Sequence, residues 1–533
     1  MRTRSLCALA GALALAAVAA PAGAHAAGYD GGDDSWTRTI EEPLSAAQLG
    51  LPATAAPRSV AQAAIRRHAA RLGLGDSAAG VRFVAEQSPG GARAAGARKL
   101  HQLRFRQTVG GLRVLYSQID VAVAGGAASS ISATIVPIAP DELRGEQRIS
   151  PARARAIARE RIAGDDRALP AQAVAYAGTP AKPQAPRRAY VVQVTPAAQE
   201  AGADADTAIC VVVDAESGRV LETWEGSAAR APKPAETGPG ARAAQAAGST
   251  HLLYVDDAKN GGGKGVLYHR RSTNQSPYQP YSSISQWYNG GPGIQALTDL
   301  ANQAHYLLKI DMCFDRNFCG WDGGWDGSYN AHLLTGRTNQ GTHYDGSDGR
   351  VYMAPAETGQ RDILAHEFGH HMDFTYADDR ISDTAEADEV EEALADMFSY
   401  DLDRTDAILG SPGRINWANP EAFKNTKENA PYPSTMYDGP GGRRDYKCGA
   451  TDEHYNGTIL SHAYYRFVQK VGHDVAGNVL QYIPWYLSAR PRFIDVQRGF
   501  ATRAGELHGA SVKTAALQAF QEVGIPNQDH PGC

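Results

Sequence analysis

Asp362-Ile-Leu-Ala-His366-Glu367-Phe-Gly-His370-His371, followed by Glu386-Ala-Asp-Glu-Val-Glu391-Glu392-Ala-Leu-Ala-Asp396-Met-Phe398, decides how this chain is read. Residues four apart lie about 40° apart around a helix and one turn along, so His366 and His370 can reach one ion. Glu367 points about a quarter-turn away, where it meets a water at the metal rather than the metal itself. Apolar Ile363, Leu364, Phe368 and Met372 predict a buried helix, and Gly369, costly in a helix, permits close packing beside the metal. A catalytic zinc needs three protein ligands and an open position. In the acidic run that follows, Glu392 carries Asp396 at i+4, which sets a ligand and an orienting acid on one helix face. Glu391 has only Ala395 there and Glu389 only Ala393. This favours Glu392, although an acidic run also suits a solvated face.

Working outward, residues 226–250 are rich in Ala, Pro and Gly, with Pro232, Pro234 and Pro239, and read as an exposed, cleavable linker. Before it, Val60–Leu74 has helical apolar spacing. Leu100–Val123 alternates as strand, broken by Gly110-Gly111. Ser150 and Pro151 open a helix to about Ile162. Strands are predicted at Ala189–Thr195, Ala208–Asp214 and Val220–Glu225, with a turn at Glu216-Ser-Gly218. Beyond the linker aromatic residues become frequent, and the Asp-Gly steps of residues 320–327 read as turns.

The 533 residues exceed one ordinary core, and 43% hydrophobic with 21% charged residues indicate a globular chain rather than a disordered or fibrous one. A net charge of −6 supplies no electrostatic footprint for nucleic acid. Arg2 and Arg4, the apolar run Leu6–Ala20 and Ala24-His25-Ala26 read as a cleaved export signal; the run is short for a span of about 20 residues. A secreted, extracellular protein without a membrane segment is expected. Of six cysteines, four follow the linker, which suits two disulfides in an oxidising compartment. Cys313 with Cys319 would close a short loop, and Cys448 with Cys533 would tie down the C-terminus.

These residues resemble the thermolysin family of zinc metallopeptidases. The resemblance lies in Asp362–His370, in Glu392–Phe398 and in His454-Tyr-Asn-Gly-Thr-Ile-Leu-Ser-His-Ala-Tyr-Tyr465. It extends upstream to Ala304-His305-Tyr306 and Tyr329-Asn330-Ala331, and covers most of residues 250–530 in the right order. The N-terminal half resembles a fungalysin/thermolysin-type propeptide domain and a PepSY domain. The resemblance implies an α+β chain: a two-domain propeptide, then a catalytic unit with a β-rich N-terminal lobe and a mainly α-helical C-terminal lobe. Zinc would lie in the cleft between the lobes. The expected segments are a signal at 1–26, propeptide domains at 27–145 and 146–226, a linker at 227–249, and lobes at 250–375 and 376–533.

By this resemblance His366, His370 and Glu392 hold zinc and His454 stabilises the developing oxyanion. Asn330 and the Ala331 carbonyl hold substrate, and Asp362, Asp403 and Glu421 supply calcium, with Asn416 in place of a further acid. Departures fall near Ile381, where the family has a tyrosine and Tyr376 is the nearby substitute. A second falls at Ser434, which stands for a substrate-binding arginine that Arg443 or Arg444 could replace. The acid that orients the histidine is displaced, and Asp452 takes its place. His371 and His462 are read as structural or exposed.

The chemistry expected is hydrolysis of internal peptide bonds, with Glu367 as general base. Ile363 would line an apolar pocket that favours hydrophobic residues after the cut. The segment before the linker would act as intramolecular chaperone and inhibitor. Protein or peptide substrates are the expected partners of a monomer, with neither nucleic acid nor membrane. Two other classes share these features: a related zinc exopeptidase, and a secreted binding protein that keeps a zinc site without catalysis.

Overall fold

A computed structural model of the chain describes residues 36–74, 80–87, 99–139, 142–162, 170–179, 182–194, 209–225, 250–257, 263–270, 333–334, 343–345, 350–352, 361–376, 385–403, 420, 424–425, 427–436, 446–447, 450–488 and 490–525. The expected signal, the linker, and Cys313, Cys319, Cys448 and Cys533 lie outside the described residues. The architecture is α+β, with a large sheet ending at Glu225 and a helical C-terminal region.

The sheet is built from β1 (Thr37–Ile40), β2 (Leu44–Ser45), β3 (Val81–Gln87), β4 (Leu100–Val109), β5 (Leu112–Val114), β6 (Gln118–Ala124) and β7 (Ala127–Thr134). It continues through β8 (Gln172–Thr179), β9 (Lys182–Val194), β10 (Ile209–Asp214) and β11 (Val220–Glu225). Its order is β1-β7-β6-β4-β5-β8-β9-β10-β11, with β2 on β7 and β3 on β4. Parallel pairing of β5 with β8 joins the strands on either side of residue 145 into one sheet. The alternating run Leu100–Val123 thus becomes β4, β5 and most of β6, turning at Gly110 and Gly111, both with positive φ.

Helix α1 (Pro57–Arg67) starts three residues before the expected Val60, because Pro57 suits the first helical turn. It breaks at His68, and α2 (Ala69–Leu72) follows. Helix α3 (Pro151–Ile162) opens where Ser150 Oγ accepts the Arg153 amide at 3.2 Å. Strand β9 starts earlier than the expected Ala189–Thr195 because β8 pairs with it back to Lys182, whereas β10 pairs only from Ala189 to Val194.

Period-two alternation gives β4 two unlike faces. Leu103 and Phe105 pack with Val60, Ala64 and Ile65 of α1. Gln102, Arg104 and Arg106 point the other way, yet they are buried too. The helical region covers this polar face. Arg104 pairs with Asp120 of β6 at 2.8 Å and lies over the Trp485 ring, and Ser132 Oγ donates to the Tyr486 carbonyl at 2.9 Å. Gln118 Nε2 donates to the Leu487 carbonyl at 3.0 Å, and Arg503 Nη1 donates to Ser130 Oγ at 3.0 Å.

Next in the chain come β12 (Thr250–Asp257), β13 (Gly263–Arg270), β14 (Leu333–Leu334), β15 (His343–Asp345) and β16 (Arg350–Tyr352). The helices are α4 (Arg361–Tyr376), α5 (Ala385–Asp403), α6 (Glu453–Val471), α7 (His473–Leu480), α8 (Ile483–Tyr486), α9 (Phe493–His508) and α10 (Ala510–Glu522). A small hairpin, β17 (Lys424–Asn425) with β18 (Ala430–Pro431), stands between α5 and α6. Phe398, Tyr464, Phe467, Phe500 and Phe520 share the helical core.

Two glycines set the helix spacing. A Cβ on Gly369 would stand 2.6 Å from the Ala395 Cα and carbonyl oxygen, so α4 and α5 cross in backbone contact there. A Cβ on Gly457 would stand 2.8 Å from the Glu389 carbonyl oxygen, which sets α6 equally close to α5. Among the described residues no helix is long and apolar enough to cross a membrane.

Candidate metal centre

Close crossing of α4, α5 and α6 brings their polar side chains to one point. His366 Nε2 and His370 Nε2, one turn apart on α4, stand 3.1 Å from each other. Glu392 Oε2, from α5, lies 3.1 Å from His366 Nε2 and 3.4 Å from His370 Nε2. These three residues offer ligand atoms close enough to share one cation. Behind them, His366 Nδ1 meets Asp396 Oδ1 at 2.9 Å, and Asp396 Oδ2 accepts from Ser461 Oγ of α6 at 3.0 Å. One ring nitrogen of His366 is thereby held so that the other faces the centre, as in metal sites where an acid orients a ligating histidine.

His454 enters from the first turn of α6, its Nδ1 at 3.0 Å from Glu392 Oε2. It belongs to a second ligand grouping with Glu392 and Glu453. Glu367 is buried beside His366, and its charge acts on His370.

Electrostatically the centre is a carboxylate amid imidazoles. Burial opposes protonation of His366, but the carboxylates of Asp396 and Glu392 beside its ring hold it well above the usual imidazole range. His370 is raised against its burial by Glu392. Burial likewise opposes charge on Glu392, and His454, His370 and His366 nevertheless keep it well below the usual carboxylate range. His454 rises to about 9 against its burial, through Glu392.

The donor set fits zinc. Glu392 Oε2 is buried and has no hydrogen bond of good geometry, although three imidazole nitrogens surround it. An orphaned acceptor among ring nitrogens is what a shared cation would satisfy, and two histidines with one carboxylate match a catalytic zinc set.

Other expected residues fall differently. Asp452 does not reach the His454 ring by any described hydrogen bond; its carboxylate caps α6, accepting the His454 amide at 3.3 Å. It lies at the N-cap, where the helix's open amides draw its oxygen away from the imidazole. Ile363, expected to line an apolar pocket, is 1% exposed. Asp362 accepts the Ile363 amide and belongs to neither cation grouping found among the described residues. The Asp403 side chain, Glu421, Asn416, Asn330, Ala331, Ile381, Arg443 and Arg444 lie outside the described residues, as do the side chains of Tyr376 and His371. His462 is buried and accepts from Arg466 Nε at 3.2 Å, a structural role.

Sequence reasoning missed Ser461, Glu389, Asn456 and Glu428. Ser461 stands seven residues after His454, on the same helix face, and that spacing was a usable signal. Glu389 Oε1 accepts from Asn456 Nδ2 at 2.6 Å, tying α5 to α6; nothing in the acidic run marks it.

No protein-family model and no curated protein matches the sequence. Among solved structures, the chain is similar to a precursor of protealysin, a metalloproteinase from Serratia proteamaculans. The TM-score is 0.39 at 16% identity, over 52% of this chain and 89% of that one. It is also similar to an M1 zinc metallopeptidase from Deinococcus radiodurans, solved as a mutant bound to a Tyr-Ser-Ala substrate. There the TM-score is 0.27 at 13% identity, over 84% of this chain and 96% of that one. At these values neither likeness bears on the chemistry, which rests on His366, His370, Glu392 and Glu367 themselves.

Proposed function

We propose that this chain is the precursor of a secreted zinc endopeptidase. The observation that carries the reading is the convergence of His366, His370 and Glu392 on one point, with Glu367 beside them and Asp396 behind His366. Bound there, zinc would supply Lewis acidity and lower the pKa of a water from about 15.7 towards about 7.

The chain's own residues do the rest. Glu367 takes the proton of the attacking water and delivers it to the leaving amine. His454, held beside Glu392, donates to the oxygen that gains charge in the transition state. Asp396 keeps the His366 ring in one tautomer, with Nε2 towards the centre. Asn330 and the Ala331 carbonyl hold the substrate backbone, and hydrophobic residues are preferred after the cut.

The leader of residues 1–26 directs export. The sheet-bearing N-terminal segment acts as chaperone and inhibitor until cleavage between residues 226 and 250. Its buried polar contacts with α8 and α9 support a role in holding the helical region.

Casein hydrolysis by the purified, secreted protein tests the reading. Activity should vanish with a zinc chelator and return when zinc is restored. A fully processed, zinc-loaded sample that leaves casein intact would count against it.

A further inference from the structure

We propose that Glu428 is a positioning residue for His454, acting through the start of α6; this rests on the peptidase reading above. Glu428 sits in the turn between β17 and β18, with its side chain only 1% exposed. It accepts from Lys447 Nζ, from the Thr451 amide, from Thr451 Oγ1 at 2.7 Å and from the Asp452 amide at 3.0 Å. One buried carboxylate therefore fixes the two residues that precede α6. Lys447 beside it holds the Glu428 carboxyl down at about 2, so it remains an acceptor throughout the ordinary working range.

The turn grips the same point a second time. Asn425 Nδ2 donates to Asp452 Oδ2, and Asn425 Oδ1 accepts the Glu428 amide at 2.8 Å. With one oxygen held by Asn425, Asp452 turns the other to the His454 amide at 3.3 Å. His454 follows Asp452 by two residues, and its ring reaches Glu392 at 3.0 Å. The hydrogen bonds thus run from Glu428 through Asp452 to the backbone of the residue that faces the metal centre.

This arrangement exceeds what a helix cap alone requires. Asp452 by itself satisfies an open amide of α6. Glu428 adds three bonds to the segment outside the helix, which stop the cap from pivoting. Without them Thr451 and Asp452 lose a buried acceptor, and the first turn, where His454 sits, is the part of a helix that frays most readily. A displacement of about 1 Å at a catalytic group is worth about a hundredfold in rate.

The test compares the parent with its Glu428→Ala, His454→Ala and double variants, each made as the full chain and then cleaved between residues 226 and 250, on a peptide blocked at both ends. Zinc content and amide hydrogen exchange over residues 451–456 are measured in parallel. Glu428→Ala should lower kcat by about tenfold to a hundredfold, with KM and zinc content unchanged, because only a transition-state contact is disturbed. Exchange over 451–456 should quicken. In the His454→Ala background the same change should cost nothing further.

An equal loss on top of His454→Ala, or full activity with unaltered exchange, would overturn the proposal. Should Glu428→Ala fail to fold, Lys447→Met, which removes the counter-charge and keeps the acceptor, should show the same pattern more weakly; no change in kcat or exchange would again overturn it. If the processed, zinc-loaded parent cleaves nothing, the peptidase reading fails instead. Glu428 is then judged by exchange and by the His454 imidazole resonances, which must shift in Glu428→Ala for the positioning role to stand.

Discussion

Asp396 divides its carboxylate between His366 Nδ1 and Ser461 Oγ, and so ties α4, α5 and α6 at the metal centre. Asp396→Asn should weaken zinc binding by about tenfold to a hundredfold in a chelator competition; undiminished affinity would show that the His366 ring needs no such anchor. Glu389 makes a second prediction, in stability. Burial raises it to about 8 against the pull of Asn456 and Tyr446, whereas the unfolded chain ionises it near 4.5. Between those values the unfolded state binds fewer protons, so stability falls as pH rises from about 4.5 to about 8. Glu389→Gln should flatten that slope in urea midpoints taken at about pH 5 and about pH 8; equal slopes in both proteins would contradict the assignment. At this scale His366, Glu367 and His370 were legible because one helical turn puts them together, and Glu392 was favoured because Asp396 follows it by four. Glu428 was not, since its partners come from a turn and a loop that no periodicity marks.

Between elements, contact distance governs. Gly369→Ala places a methyl 2.6 Å from Ala395 backbone, which cannot yield as a side chain would. Thermal unfolding should report a loss of about 1–3 kcal/mol, and zinc should bind more weakly, because His366 and Glu392 face each other across the same crossing. Gly505→Ala is the control. Its Cβ would meet only the flexible Lys513 side chain, at 3.2 Å, and near-parental stability is expected. If both variants behave alike, the crossing is not the constraint described. Helices α4 and α5 could be read from the sequence because each carries polar partners four apart between apolar residues. Strands of two or three residues, such as β14 to β18, contain too few positions to show an alternation.

For the whole molecule, the buried polar face of the large sheet is the feature the sequence disguised. Alternation along Leu100–Val123 marked strand structure and left open what lies against its polar residues. Their burial depends on α8 and α9, far along the chain, whose carbonyls and Arg503 meet them. Burial pushes Asp120 up while Arg104 pulls it down. Arg104→Ala would leave that carboxyl without its closest cation and should cost about 3–5 kcal/mol in urea unfolding of the full chain. Removing Asp120 as well should recover most of this; a double variant no better than the single would show that the pair does not hold the two parts together. The α+β class was legible, but the docking surface was not, because a strand's own pattern says nothing about what covers its second face.

The central claim is that Glu367 moves the proton at a zinc centre made by His366, His370 and Glu392. Its most direct test measures zinc content and cleavage of an end-blocked peptide, side by side, in the parent and Glu367→Gln. The account predicts equal zinc in both and a rate at least about a hundredfold lower in the variant. Equal zinc with an undiminished rate would contradict it.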